Sequence, residues 1–466
     1  MHDRMKALVR RQIPAVSRIL DALGQCALPR PLIVELVRRK LSEIRASQDV
    51  PRFETIVARI RYSLEELRAS RLQPVVNGTG IVIHTNFGRA PLATAAGRAL
   101  AELSSGYSNL EFQLATGERG GRGGYVQTGL ALLCKAEAAT VVNNCAAALV
   151  LIANHFTTRN IRRRTSNLEH RSEIVISRGE LVQIGGGFRI AEILQASGAK
   201  LREVGATNKT TLEDYEHAIG PDTAMILKVH RSNFSMSGFV ESVSSNDISA
   251  LAKKKRIPFV EDLGSGAVIA TESLGIAEHE PTPVEALKAG ADLVCFSGDK
   301  LFGGPQAGVI AGKERFIRAL KREPLFRAFR CDKLCLAALQ ATVDLHLNQK
   351  IGEIPALELL QLSEEALRAR AVAICSRLED LPLKIAIGRG CAKAGGGTLS
   401  KAKVPSVTID IAPDNSSLAE FAATLRASNP PVVGYIADDR LKLDLRTIFP
   451  QQDDFVIGAI RAACTK

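Results

Sequence analysis

One lysine lies where an apolar segment meets a glycine-rich turn. Residues 291–296 (ADLVCF) have the composition of a short buried strand, and Lys300 follows in the segment SGDKLFGG, 297–304. The glycines allow the backbone to approach a bulky ligand closely. A free lysine has a pKa of about 10.4 and becomes a useful nucleophile only in a sheltered site that disfavours its charged form. The pattern therefore predicts a buried Lys300 that can form a Schiff base with an aldehyde.

An acidic residue ends an earlier apolar segment. Asp262 follows the strand-like residues 257–260 and precedes a Gly-Ser-Gly turn. A strand-end aspartate and a strand-end lysine roughly forty residues later suit pyridoxal phosphate (PLP), because the carboxylate keeps the pyridine nitrogen protonated while the lysine carries the aldehyde carbon. Aspartates at strand ends also cap helices, and lysines before glycines also occur in solvated loops, so the pair alone leaves both explanations open.

An asparagine-rich turn supplies a candidate phosphate site. The turn follows the strand-like residues 140–142, and Asn144, Cys145 and Ala146 then open a helix. Unpaired backbone N–H groups and the helix dipole favour an anion at such a position. A turn that merely caps an ordinary helix would have the same pattern.

A histidine ends another strand-like segment. His230 follows residues 223–229, and we expect it on the same side of the sheet as Asp262, where it could contact the cofactor ring. A lone histidine at a strand end is more often structural.

Length and composition indicate a large globular protein. The chain has 466 residues, of which 46% are hydrophobic, so two or three domains are expected. No run of 18 or more apolar residues occurs, and the first residues are too charged for a signal peptide, so we expect a soluble cytoplasmic protein without a membrane partner. The nine cysteines form no Cys-x-x-Cys pair. We therefore expect reduced thiols and no metal site.

Strand-like and helical segments alternate through the middle of the chain. This alternation predicts an α/β fold with a mainly parallel sheet covered by helices. A phosphate-binding P-loop and a dinucleotide fingerprint are both missing from the sequence. From about residue 336 a helix-rich stretch leads to further strands, which indicates a smaller α+β domain.

The excess positive charge is concentrated near the start of the chain. Residues 1–73 contain 15 Lys and Arg and 8 Asp and Glu, a net charge of +7 out of +12 for the whole chain. Apolar residues recur at helical spacing over 13–23, 32–44 and 53–67. The pattern predicts a small helical domain with basic outer faces, suited to a polyanion, although arginine-rich helix surfaces are also ordinary solvated faces.

Several short motifs together resemble those of the bacterial selenocysteine synthases, the L-seryl-tRNA(Sec) selenium transferases. They are VNGTGIVIHTNFGRAPL (76–92), ERGGRG (118–123), VNNCAAA (142–148), EVGATNKT (203–210) and the lysine segment SGDKLFGGPQAG (297–308). The resemblance covers nearly the whole chain and includes the N-terminal extension. It implies a large domain of the PLP-dependent aminotransferase-like fold (fold type I).

The resemblance also implies the division of the chain. The expected parts are a helical tRNA-binding domain (1–62), a linker helix (63–76), the PLP-binding catalytic domain (77–335) and a small C-terminal α+β domain (336–466).

The implied activity is the conversion of L-seryl-tRNA(Sec) to L-selenocysteyl-tRNA(Sec). It proceeds by PLP-dependent β-elimination to aminoacrylyl-tRNA and addition of selenium from selenophosphate, in a homo-oligomer that is a ring of five dimers. Three arginines match those that bind the phosphate of the selenium donor: Arg89, Arg327 and Arg330. Their three-residue spacing predicts that the last two share one helical face. Asp299 matches an active-site aspartate that could help proton movement.

Two alternatives remain at this point. One is a PLP-dependent ammonia-lyase or dehydratase that acts on a small amino acid or amino sugar, which would have no need of the basic extension. The other is a non-catalytic RNA-binding protein, against which the retained lysine, aspartate and arginines argue. The family often has asparagine where this chain has Cys145, so a side-chain role at that position is doubtful.

Overall fold

The computed structural model describes residues 13–47, 50–162 and 171–465, which fall into two units divided between Pro74 and Val75. The first unit is helical, and its described part contains α1 (Val16–Leu23), α2 (Arg30–Ala46) and α3 (Phe53–Ala69). Ile19, Val37 and Ile60 are among the buried residues that these helices share. Three helices therefore enclose a core of their own, at the positions that the apolar spacing predicted.

Helix α3 crosses the limit predicted between the helical domain and a linker helix. A separate helix over 63–76 is not present, because α3 continues through this limit and ends at Ala69. Its buried residues Ile56, Ile60 and Leu64 recur every four positions, and no glycine or proline interrupts them. The first part of the expected linker is thus the last part of α3.

The second unit begins with alternating strands and helices. Its strands up to residue 312 are β1 (Val76–Asn77), β2 (Ile81–Ile83), β3 (Phe112–Gln113), β4 (Glu118–Arg119), β5 (Ala138–Val142), β6 (Glu173–Ser177), β7 (Gln183–Ile184), β8 (Phe188–Arg189), β9 (Lys200–Val204), β10 (Thr223–Val229), β11 (Phe259–Gly264), β12 (Leu293–Ser297) and β13 (Gly308–Gly312). Its helices up to residue 347 are α4 (Thr94–Ser104), α5 (Gly124–Cys134), α6 (Cys145–Arg162), α7 (Ile190–Ala196), α8 (Leu212–Ala218), α9 (Ser245–Lys255), α10 (Pro283–Ala289), α11 (Glu314–Leu320), α12 (Pro324–Phe329) and α13 (Lys333–Leu347).

Seven of these strands form the main sheet, in the order β5-β13-β12-β11-β10-β6-β9. Its neighbours from β12 to β9 pair in parallel, while β13 runs antiparallel between β12 and β5. The predicted, mainly parallel α/β sheet is confirmed. Strand β9 was not predicted, because as an edge strand it exposes charged residues such as Lys200 and Arg202 and lacks an apolar run.

Both faces of the main sheet are covered. Ile226 and Phe259 belong to the apolar cluster on one face, and their chain neighbours Leu227 and Val260 belong to the cluster on the other. Successive side chains of a strand point to opposite faces, so a strand buried on both sides is apolar at nearly every position. This is why the strand-like segments of the sequence are continuous apolar runs.

The rest of the second unit builds a smaller sheet with helices against it. Its elements are α14 (Pro355–Gln361), α15 (Glu364–Ser376), β14 (Leu383–Gly395), β15 (Val404–Pro413), α16 (Leu418–Arg426), β16 (Val432–Val433), β17 (Tyr435–Ala437), β18 (Arg440–Asp444) and α17 (Asp453–Cys464). The five-stranded sheet has the order β17-β18-β15-β14-β2. Strand β14 was not predicted, since its alternating small, charged and half-buried residues resemble a loop.

Two elements cross the predicted limits of the small domain. Strand β2, from the start of the second unit, pairs in parallel with β14 of the smaller sheet. Helix α13 spans the expected limit after residue 335, and its Leu339 and Val343 lie in the core on one face of the main sheet. Within the part of the chain described, no helix is both long enough and apolar enough to cross a membrane.

Candidate active site

A cavity of about 340 Å³ opens at the carboxyl ends of the central strands. Ligands of open α/β sheets bind at this edge, because loops and helix N-termini converge there. Seven of the ten predicted site residues line this cavity, although they are far apart in the sequence. Its lining is Arg89, Asn144, Cys145, Ala146, Leu149, Ile184, Gly185, Asp262, Gly264, Ser297, Asp299, Lys300, Gln306 and Ala307.

Lys300 follows β12 and is only 4% exposed. Burial lowers the pKa of its amine below the ordinary lysine value, because charge is costly away from water. The carboxylates of Asp262 and Asp299 oppose this shift, while Arg89 adds to it. The lysine is therefore more readily neutral than an exposed one, as the sequence predicted for an amine that attacks an aldehyde.

Asp262 lies in β11 beside β12. Its carboxylate oxygen Oδ1 accepts a hydrogen bond from the backbone N–H of Gly264 at 3.0 Å and one from the thiol of Cys145 at 3.6 Å. Burial raises the pKa of this carboxyl, and the ammonium of Lys300 partly opposes the shift. The two residues that the PLP interpretation requires thus line one cavity and influence each other electrostatically.

Gly264 lies beside both of these side chains in the lining of the cavity. A Cβ atom at this position would lie 3.9 Å from Lys300 Nζ, 4.0 Å from Asp262 Oδ1 and 3.7 Å from Ser232 Oγ. Its φ of 62° is also in the left-handed region that favours glycine. Lys300 and Asp262 face the same cavity. An aromatic ring could be held there with the lysine amine at one end and the aspartate carboxylate at the other.

The N-terminus of helix α6 forms another wall of the cavity. Asn144 caps the helix, since its Oδ1 accepts a hydrogen bond from Ala147 N at 2.8 Å. The first amides of a helix have no partner within it, and together with the helix dipole they favour an anion. A Cβ at Gly308 of β13 would collide with the backbone of Asn144, so glycine there lets the helix start approach the sheet. Lysine, aspartate and an anion-binding helix start are the groups that PLP requires, and the site fits this cofactor.

Arg89 and Asp299 form an ion pair at the cavity. One guanidinium nitrogen of Arg89 lies 3.0 Å and 2.9 Å from the two carboxylate oxygens of Asp299. Arg89 has a left-handed φ of 68° after Gly88, and Ala90 N donates to the carbonyl of Asp299 at 3.2 Å. The backbone around Arg89 is therefore bound to the lysine segment, and the ion pair adds to this connection.

Arg327 and Arg330 do not line this cavity and do not share a helical face. Helix α12 ends at Phe329, and Arg330 has extended backbone angles beyond it. The helix is only six residues long, so the helical spacing on which the prediction relied does not reach Arg330. Arg330 instead lies 3.5 Å from Glu111, while Arg327 is exposed.

Glu111 was not singled out from the sequence. Its carboxylate also contacts Arg119 at 2.8 Å and Arg122 at 3.0 Å, and hydrogen bonds from these two arginines lower its pKa. Three guanidinium groups around one carboxylate leave an excess of positive charge. The signal that could have identified Glu111 is its position just before the ERGGRG motif.

His230 directly follows β10 and lies next to Asp262, as predicted, since its backbone N–H donates to the Asp262 carbonyl at 2.8 Å. Its side chain does not line the cavity: Nε2 lies 3.0 Å from Oε2 of the buried Glu280. The other oxygen of Glu280 accepts a hydrogen bond from Leu399 N of the smaller domain. In this chain His230 therefore takes part in a structural contact, and its role toward a cofactor stays a prediction. Gln306, which does line the cavity, was given no role from the sequence.

Comparison with known proteins shows the family of this chain. A family model described as SelA, L-seryl-tRNA selenium transferase, matches residues 75–449. The chain is 41% identical to the L-seryl-tRNA(Sec) selenium transferase of Geotalea daltonii, with 97% of this chain and 98% of the relative covered. It is 40% identical to that of Aquifex aeolicus, with 96% of each chain covered. Among solved structures, D-glucosaminate-6-phosphate ammonia-lyase is similar in fold at a TM-score of 0.59 and 18% identity, covering 86% of this chain and 97% of the other. The chain therefore belongs to the L-seryl-tRNA selenium transferase family.

Proposed function

We propose that this chain is a selenocysteine synthase that converts L-seryl-tRNA(Sec) to L-selenocysteyl-tRNA(Sec), with PLP as its cofactor and selenophosphate as the selenium donor. The observation that carries the proposal is the meeting of Lys300, Asp262 and the start of helix α6 at one cavity. Family membership supplies the substrate class, since the relatives are L-seryl-tRNA(Sec) selenium transferases.

The cofactor would be held by three groups of this chain. Lys300 would join its aldehyde, Asp262 would pair with its ring nitrogen, and the amides of residues 144–146 would hold its phosphate. When bound, PLP supplies an electron sink for the electron pair left at the seryl Cα after proton removal.

Lys300 is also the candidate for moving that proton. Burial lowers the pKa of its amine, so at neutral pH it is a better base than an exposed lysine. It would take the proton from the seryl Cα, and the Cβ hydroxyl would leave as water. The selenium of selenophosphate would then bond to Cβ while a proton returns to Cα, and water would cleave the Se–P bond to release phosphate. Asp299, which pairs with Arg89 beside the lysine, is proposed to assist proton movement there.

Arg89, Arg327 and Arg330 are proposed to bind the phosphate of the selenium donor. Arg89 lies at the cavity, and planar guanidinium groups suit phosphate oxygens. Arg330 belongs to the positively charged group around Glu111. Arg330 and Glu111 do not line the cavity of their own chain. For Arg330 to contact a donor bound in a cavity, the cavity of a second subunit would have to lie beside it.

The predicted ring of five dimers belongs to the same proposal. Exposed apolar side chains support a subunit contact near Arg119, because contiguous exposed apolar groups mark interaction surfaces. Tyr107 is fully exposed, and Leu114 and Phe112 are 76% and 50% exposed. Light scattering of the purified protein measures the assembly, and a monomeric mass would contradict this part of the proposal.

The N-terminal unit is proposed to bind the tRNA. Its helices α2 and α3 expose arginines around a separate apolar core, and basic surfaces bind the phosphate backbone of nucleic acids. The aminoacyl group stays esterified to the RNA during the reaction, so a long anionic substrate has to be held while its end reaches the cavity. The predicted cytoplasmic location fits such a substrate and remains a prediction.

The proposal is tested with full-length protein, PLP, seryl-tRNA(Sec) and radiolabelled selenophosphate. We expect selenium in the aminoacyl group of the tRNA, and borohydride should trap the cofactor on Lys300. Lys300→Ala should abolish both results, whereas Lys403→Ala, at an exposed lysine, should leave both unchanged. Release of ammonia from a phosphorylated amino sugar, with no selenium transfer, would instead support the ammonia-lyase alternative.

A further inference from the structure

Two cysteines contact the aspartate of the cavity. The sulfur atoms of Cys145 and Cys295 and a carboxylate oxygen of Asp262 all lie within 4.8 Å of one another. Cys145 begins helix α6, while Cys295 lies in β12 and is paired in register with Asp262 of β11. The cluster is created by tertiary packing, and the proposed reaction gives neither thiol a role.

The geometry makes Cys145 a hydrogen-bond donor to the carboxylate. Its Sγ lies 3.6 Å from Asp262 Oδ1, the same oxygen that accepts the amide of Gly264 at 3.0 Å. A hydrogen bond from Cys295 lowers the pKa of the Cys145 thiol, but burial and the charge of Asp262 outweigh it and raise that pKa overall. The hydrogen bond with Cys145 and burial raise the pKa of Cys295 well above its ordinary value. Both residues are therefore protonated thiols that can donate.

A buried carboxylate needs such donors to remain ionised. Burial raises the pKa of Asp262, and the charge of Lys300, the thiol of Cys145 and the amide of Gly264 lower it, in that order. When the lysine amine is used to attach the cofactor, a free ammonium no longer stands beside Asp262. The thiols of Cys145 and Cys295 and the amide of Gly264 then remain as neighbouring groups that favour the charged carboxylate.

We propose that Cys145 is a positioning residue, whose thiol orients the Asp262 carboxylate and keeps it ionised for the ring nitrogen of PLP, with Cys295 supporting that thiol. The inference depends on the proposed function, because it takes Asp262 as the partner of PLP. It gives a side-chain role to a position that the family resemblance left doubtful. The role is positioning, because Cys145 acts on the cofactor through Asp262.

The test uses full-length protein from which PLP has been removed and then restored. We compare Cys145→Ala, Cys145→Ser and Cys295→Ala with Cys134→Ala, a control at a cysteine of α5 that is as fully buried as Cys295 but lies outside the cavity. Equilibrium dialysis gives the dissociation constant of PLP, and the visible spectrum recorded against pH gives the midpoint of the cofactor band. These readouts do not depend on catalysis.

Loss of a thiol donor should weaken PLP binding about three- to tenfold in Cys145→Ala, since a thiol is a weak donor and tenfold corresponds to about 1.4 kcal/mol. The pH midpoint of the band should also change in this variant. Cys145→Ser retains a donor and should stay within about twofold of the wild-type affinity. Cys295→Ala should show a smaller effect in the same direction, and Cys134→Ala should change neither quantity.

Three results would overturn the inference. The first is wild-type affinity and an unchanged midpoint in Cys145→Ala. The second is a PLP affinity that is as low in Cys145→Ser as in Cys145→Ala, because a hydrogen-bond donor at this position would then have no effect. The third is zinc retained stoichiometrically by cofactor-free wild type and lost in Cys145→Ser, because the thiolates would then be metal ligands. Failure of wild type to bind PLP on Lys300 would overturn the proposed function as well, which separates the two.

Discussion

The guanidinium of Arg89 lies 3.0 Å and 2.9 Å from the two carboxylate oxygens of Asp299, the residue directly before Lys300. The two residues are 210 positions apart in the chain. They have opposite effects on the lysine: Arg89 lowers the pKa of its amine, and Asp299 raises it. The ion pair therefore balances two charges beside an amine that has to lose its proton before it can react.

Replacing Arg89 and replacing Asp299 should shift the pH midpoint of PLP capture in opposite directions. Capture needs the neutral amine, and burial already lowers the pKa of Lys300 below the ordinary lysine value. Arg89→Leu removes a positive charge, so the pKa of Lys300 rises and the midpoint of the capture rate moves to higher pH. Asp299→Asn removes a negative charge and moves that midpoint to lower pH.

The measurement is the rate of PLP loading into cofactor-free protein, followed by absorbance at a series of pH values. Arg178→Leu is the matched control, since Arg178 forms a similar 3.0 Å ion pair with Glu203 on the exposed surface. A shift in the same direction for both test variants would contradict the electrostatic explanation.

Gly264→Ala should weaken PLP binding by roughly tenfold or more, about 1.4 kcal/mol, because the new methyl group enters the space between Lys300 and Asp262. The added Cβ lies about 4 Å from both side chains. Gly275→Ala provides the control, because it has a similar φ of 77° but nothing within 4 Å of its Cβ position. Left-handed strain should cost each variant about 1–2 kcal/mol of unfolding free energy.

Denaturant unfolding and equilibrium dialysis separate these effects. Both variants should unfold more easily, and only Gly264→Ala should lose cofactor affinity. Equal loss of PLP affinity in the two variants would mean that backbone strain, and not the filled space, is responsible.

Arg330→Ala and Arg327→Ala should impair use of the selenium donor. A lost charge-assisted contact with phosphate should cost about 1.5–3 kcal/mol in the concentration dependence of selenophosphate. Binding of seryl-tRNA, measured by filter retention, should remain unchanged. Arg322→Ala, at an exposed arginine of the same segment, is the control. If both variants lose tRNA affinity and use selenophosphate normally, the two arginines bind the tRNA and not the selenium donor.

Exposed arginines of helix α2 should contribute to the salt dependence of tRNA binding. Arg38, Arg39 and Arg45 are exposed, and the described residues form no ion pair with them. Replacing all three by Gln in the full-length chain should lower affinity and reduce the slope of log K against log salt by up to about 3, because each phosphate contact releases counterions. Substitution is preferable to deletion of residues 1–62, which would cut through α3.

Binding is measured by fluorescence anisotropy of labelled tRNA across a salt series. Lys384→Gln and Arg389→Gln are the controls, because both residues are exposed on β14. They test whether loss of positive charge elsewhere on the protein reduces the salt slope equally. An unchanged slope in the α2 variant would show that the N-terminal unit does not hold the RNA.

Much of the fold could be predicted because its signals are local. Strands β10 and β12 are apolar at most positions, with Thr223, Lys228 and Ser297 as the exceptions, since both their faces are buried, and the alternation with helices indicates parallel pairing. Strands β9 and β14 were not predicted because they have exposed faces. Exposed faces allow charged and small residues, and a local pattern does not distinguish such residues from a loop.

The sequence by itself determined which residues have the chemistry: a strand-end lysine and aspartate, an anion-binding helix start, and motifs that identify the family. Only the tertiary structure decided how they meet. The contact of Cys145 with Asp262 joins residues 117 positions apart, and that of Arg330 with Glu111 joins residues 219 positions apart. Such contacts depend on strand order, pairing register and the direction in which helices leave the sheet. Residue periodicity reports only which side of an element is buried, so it cannot determine these relationships.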